Sequence, residues 1–103
     1  MIAIVATLHK KEDAVRIGKL LLEQRLIACY NLWPIESSYW WEGKIMDEPE
    51  VMMLIKTQEW HYAEVSTLIQ GQSEYTVPDI FTLNPGQVHP AFNKWVDQET
   101  SRE

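Results

Sequence analysis

YWWEGKIMDEPEVMMLIKT, residues 39–57, reads as the second half of a long β-hairpin. Aromatic residues enter a Glu42-Gly43-Lys44 turn, and an apolar run, Val51-Met52-Met53-Leu54-Ile55, leaves it. A strand that buries one face alternates apolar and polar residues, and this run does not alternate. Both of its faces therefore want cover. A chain of 103 residues with two good helices can cover one face of a small sheet. The other face is most simply covered by a second copy of the same chain.

Outward from the hairpin, the rest of the chain supplies the partners of that strand. Residues 2–8, IAIVATL, form an apolar, β-branched run suited to a central strand. Glu12 and Asp13 open a helix, and Ala14, Ile17 and Leu21, flanked by Gly18 and Leu22, recur at helical spacing up to Arg25. Leu26 to Leu32 reads as a strand that Pro34 bends or interrupts before Ile35 to Trp41 continues it. Ile45 to Lys56 returns, with Asp47-Glu48-Pro49-Glu50 better suited to an exposed edge or a bulge than to a central pairing. Thr57 is placed to cap a second helix, whose Tyr62, Val65, Leu68 and Ile69 share a face until Gly71. Val77 to Leu83 is a last strand, and His89 to Glu99 a terminal helix with Phe92, Trp95 and Val96 on one side. The order predicts an α+β fold: a ferredoxin-like βαββαβ sandwich with an antiparallel sheet, a long hairpin between its second and third strands and an extra C-terminal helix, in one domain over residues 1–103.

The formal net charge of -6 repels phosphate backbones, so nucleic acid is not an expected partner. Cys29 is the single cysteine, which leaves no intrachain disulfide and points to a reducing compartment. No run approaches the ~20 apolar residues of a membrane span, and the N-terminus lacks a signal-peptide pattern. The expectation is a soluble, cytoplasmic protein with no membrane partner. Gly-rich phosphate loops, nucleophile elbows and recognisable Ser/His/Asp arrangements are all missing, so no enzyme activity is expected.

The segments LLEQRLIACYNLWPI, SYWWEGKI, IKT and YTVPDIFTL occur in an order that resembles the CutA divalent-cation-tolerance family, over nearly the whole chain. The resemblance implies a ferredoxin-like homotrimer in which the long hairpin reaches a neighbour's sheet, much as in PII signalling proteins. It implies no catalytic reaction, no required cofactor, and a role in tolerance of divalent metals, copper above all. Cys29 falls on the family's characteristic Cys, Lys56 on the Lys of its Lys-Thr step, and Tyr75 and Pro78 on its Tyr-x-x-Pro. Many members carry His-Pro just before that Tyr, where this chain has Ser73-Glu74, so one imidazole donor is missing.

Cys29 is the soft-ligand candidate, since a thiolate suits Cu(I) and other thiophilic ions. It lies in an apolar run, LIACYNL, and single buried cysteines mostly serve as small core residues. No CxxC, HxxxH or HExxH spacing completes a metal site, so any ion needs donors converging across the fold or across subunits. His9, His61 and His89 read as solvated surface residues. Lys56 and Tyr75 are candidates to line an intersubunit pocket for a small anion, the alternative function being a PII-like signalling trimer. Trp40 and Trp41 point to opposite faces of their strand, one expected in the core and one at an interface.

Overall fold

The computed structural model describes residues 1–102. Its elements follow in the expected order: β1 (Ile2–Leu8), α1 (Lys11–Glu23), β2 (Cys29–Trp41), β3 (Lys44–Thr57), a 3-10 turn (Glu59–His61), α2 (Tyr62–Gln72), β4 (Ile80–Leu83) and α3 (Pro90–Glu99). The strands form one antiparallel sheet in the order β2-β3-β1-β4, which is the ferredoxin-like arrangement.

Strand alternation sorts the sheet into two unlike faces. On one, Ile4, Ala6, Met53 and Ile55 meet Ala14, Ile17 and Leu21 of α1 and Val65 and Ile69 of α2 in a closed core. The opposite face carries Val5, Met52 and Leu54, with Trp33 across from Met52 and Phe81 across from Val5. No helix covers it, and Trp33, Phe81 and Leu83 are 43%, 46% and 52% exposed. The non-alternating run Val51–Ile55 thus feeds both faces, and this chain covers one of them.

Gly18 shows how tightly the helices seat. A Cβ there would sit 2.5 Å from Cε1 and Cζ of Tyr30 on β2. In an exposed helix Gly→Ala gains up to about 1 kcal/mol, but overpacking costs about 1–3 kcal/mol. Gly18→Ala is therefore expected to destabilise, and the loss should disappear when Tyr30 is also changed to Ala. Chemical denaturation of the single and double variants checks this; a stabilised Gly18→Ala protein contradicts the packing.

α1 ends in a left-handed turn at Arg25 (φ 59), where the amides of Arg25 and Leu26 donate to the carbonyls of Leu22 and Leu21. Several local expectations change for physical reasons. Leu26 to Ala28 are not strand: Leu26 and Ile27 plug the core, and β2 begins at Cys29. Pro34 does not interrupt β2, because β2 is an edge strand and an outward-facing position needs no N–H. Thr57 caps no helix; it closes β3 and its hydroxyl donates to the Leu26 carbonyl at 2.6 Å. The helix runs through Gly71 to Gln72, and β4 takes only Ile80–Leu83 of the longer stretch expected. Phe92 and Trp95 stack on each other at 5.7 Å and stay partly exposed, leaving Val96 as the buried residue of α3.

β1 pairs β3 only from Val51 to Thr57, so residues 44–50 pair with β2 alone and the hairpin projects as an arm. Asp47 to Pro49 accordingly lie on the expected free edge, in continuous register and without a bulge, while Glu50 at the base of the arm is buried. Glu42 (φ 50) and Gly43 (φ 80) make the two-residue turn at its tip. Trp40 and Trp41 do face opposite ways, but at 72% and 41% exposed neither enters this chain's core.

Candidate functional site

The open sheet face carries polar groups at its two ends, separated by the six residue steps of β3 from Glu50 to Lys56, roughly 20 Å. At the first end Cys29 and Lys56 are cross-strand partners, and Lys56 Nζ donates to Asn31 Oδ1. Cys29 is partly covered, and burial pushes its thiol up, against the opposing pull of the Lys56 ammonium. A thiol held protonated is a reluctant metal ligand until a metal displaces the proton. Among the described residues no three His, Cys, Asp or Glu side chains converge as a metal-binding group.

At the second end the segment before β4 folds back over the face. The Thr7 amide donates to the Asp79 carbonyl at 3.2 Å, and the Thr7 hydroxyl to Asp79 Oδ2 at 2.9 Å. Tyr75 is carried in beneath His9, edge to face with ring centres 6.2 Å apart, and its hydroxyl donates to Glu50 Oε2. Along the arm the Tyr39 hydroxyl donates to Glu48 Oε1. The Glu48 hydrogen bond is the main cause that pushes the Tyr39 hydroxyl up to about 12. Tyr75 is raised first by burial and then by its bond to Glu50 and the surrounding negative charge. Both hydroxyls stay protonated at neutral pH and act as donors to carboxylates.

These contacts roof a cavity of about 690 Å³ between the base of the arm and residues 74–79, with Glu50, Glu74 and Asp79 in its wall beside Tyr39, Trp41 and Tyr75. Its lining contains no Lys, Arg or His. Lys56 does not reach it, so within one chain Lys56 and Tyr75 belong to different ends of the sheet.

The burial of Glu50 is what the sequence reading missed: it sits in an acidic run that looks solvated, yet it is only 8% exposed. The signal was the spacing of Glu48 and Glu50, two apart on one strand face and opposite Ser37 and Ile35. His61 is a second correction. It is 5% exposed rather than solvated, and since a carbonyl can only accept, its Nε2–H donates to the Thr100 carbonyl at 2.9 Å. His9 and His89 are exposed as expected.

A four-stranded antiparallel sheet with helices on one face, an apolar second face and a projecting hairpin defines a ferredoxin-like α+β protein with an acidic, aromatic cavity. The family model for the CutA1 divalent ion tolerance protein matches residues 2–99, and the chain belongs to that family. It is 39% identical over 95 residues to the divalent-cation tolerance protein CutA of Archaeoglobus fulgidus, covering 92% of this chain and 93% of the relative. The solved structure of the Archaeoglobus fulgidus protein, described as periplasmic, superposes with a TM-score of 0.95 at 37% identity, covering 98% of this chain and 100% of that one. The PII-like protein CutA from Nostoc sp. PCC 7120 matches with a TM-score of 0.90 at 26% identity and 98% coverage of both chains. No helix among the described residues is long and apolar enough to cross a membrane.

Proposed function

We propose that this chain is the subunit of a non-enzymatic homotrimer that acts in tolerance of divalent metal ions, copper first among them, in the cytoplasm. The observation that carries the reading is the apolar face of the sheet, where Val5, Met52 and Leu54 lie under no helix. Membership of the CutA1 divalent ion tolerance family supports the metal role. Cys29 is the soft donor, and because no three ligating side chains converge in one subunit among the described residues, an ion at Cys29 takes its other donors from a neighbour.

The alternative is a PII-like signalling trimer that takes a small anion at its subunit clefts, with Lys56 as the counter-charge. Likeness to the PII-like Nostoc structure favours it, but the carboxylates around Tyr75 oppose an anion at that end of the sheet.

Native mass spectrometry with thermal shift against Cu(I), Cu(II), Zn(II) and nucleotides tests both readings. The expected result is a trimer whose apparent stability rises with copper, since a ligand that binds only the folded state must stabilise it, and a rise that vanishes in Cys29→Ser. A monomer removes the first reading. Stabilisation by a nucleotide alone, lost in Lys56→Ala, replaces it with the second.

A further inference from the structure

We propose that α3 is an acid-responsive helix: His89 caps its N-terminus only while the imidazole is neutral, so acidification releases the N-terminal half of α3 from an anchored C-terminal half. The two halves are held unequally. Val96 and Thr100 are buried, whereas His89 to Trp95 are all exposed. At the C-terminal end the Thr100 hydroxyl donates to the Val96 carbonyl at 2.8 Å, His61 Nε2–H donates to the Thr100 carbonyl, and Arg25 donates to the carbonyl and the carboxylate of Glu99. Among the described residues the side-chain bonds at the other end are two. The Met1 ammonium donates to Asn93 Oδ1 at 3.4 Å, and the Ala91 amide donates to His89 Nδ1 at 3.1 Å, which is the cap. Local opening is least costly where few apolar contacts are buried, so the cap is a main source of order in this half.

Because Pro90 at the first helical position has no N–H, Ala91 carries the first amide of α3 that needs an acceptor. An imidazole accepts only through an unprotonated nitrogen, and protonation makes both nitrogens donors. The Ala91 amide then loses its acceptor, and a positive charge stands at the end of the helix where the macrodipole is also positive. Both effects have the same sign: the cap is present where imidazole is neutral and is lost as pH falls through the imidazole range, about pH 8 to 5. His61, at the other end of α3, responds with the opposite sign, since an imidazolium still donates to the Thr100 carbonyl and its charge suits a helix C-terminus. The remaining charged groups around α3 are the Met1 ammonium beside Asn93, Lys94, Asp97 and Glu99 on the helix itself, Arg25 at the end of α1, Glu59 of the 3-10 turn, and Glu64 of α2 with Arg102. Amines, guanidinium groups and carboxylates ordinarily titrate outside the interval from about pH 7 to 5, which leaves that interval to imidazole.

The cap acts independently of the metal and anion readings, so the assembled protein tests it in metal-free buffer. Amide hydrogen exchange along α3, resolved by NMR and expressed as protection factors that remove the intrinsic pH dependence of exchange, is compared at about pH 7 and about pH 5, the two sides of the imidazole range. Protection of Asn93 to Trp95 is expected to fall by about three- to tenfold at the lower pH, the size of a lost N-cap, while that of residues 96–99 holds. His89→Asn keeps an accepting side chain at both pH values and should retain its neutral-pH protection on acidification. His89→Ala should show the lowered protection already at neutral pH. Both substitutions fall at an exposed position and leave the core untouched. Equal wild-type protection at the two pH values overturns the proposal. So does a fall that persists in His89→Asn, which assigns the acid response to another group.

Discussion

Changing Leu54 to glutamate is expected to split the proposed homotrimer into monomers while each subunit keeps its fold. Leu54 lies in mid-sheet between Val5 and Asn31, on the face that no helix covers. In a free subunit a carboxylate there remains in contact with water. In an interface it must be desolvated without a partner, at several kcal/mol per ion, and a symmetric trimer meets that cost at every copy. Native mass spectrometry should show the single-chain mass, with an unchanged far-UV circular dichroism spectrum. A trimeric mass retained by the variant at micromolar concentration places the interface elsewhere.

The next residue along the strand behaves in the opposite way. Ile55 points to the helices, is fully buried, and lies opposite Ile4 and Tyr30 in the ladder. Ile55→Ala is expected to cost about 2–5 kcal/mol through lost burial and the cavity left behind. In a domain of about this size each kcal/mol lowers Tm by roughly 4 °C or more, so a fall of about 10 °C or more should appear in a thermal melt. Because the stability of an obligate oligomer depends on subunit concentration, both proteins must be compared at equal concentration. A shift of a degree or two contradicts the closed core on that face. The two variants, one position apart, separate what holds the subunit together from what joins subunits.

Residue types and periodicity determined the element order, because the short apolar, β-branched run Ile2 to Leu8 suits a buried strand and the helical period from Ala14 to Leu22 fits one face of a helix. They also determined that Val51 to Ile55 serves two apolar faces. The ends of the elements were less legible: Thr57 has the chemistry of a helix cap, yet its hydroxyl found a stronger use on the Leu26 carbonyl inside the fold. The site was legible only in part. Cys29, Lys56 and Tyr75 stand out as residue types, but their separation is a property of the sheet register, which puts Lys56 opposite Cys29 and leaves Tyr75 on Glu50. Glu50 reads as one more solvated acid in a charged run, and it became buried only when residues 74–79 folded back onto the face. His61 changed from surface to interior in the same way, when the end of α3 brought Thr100 over it. Local sequence sets which conformations a segment favours, so strands and helices could be read from it. Burial and charge at a site depend on which distant segment comes to lie on top, and that contact between Tyr75 and Glu50, 25 residues apart in the chain, was decided by the tertiary structure.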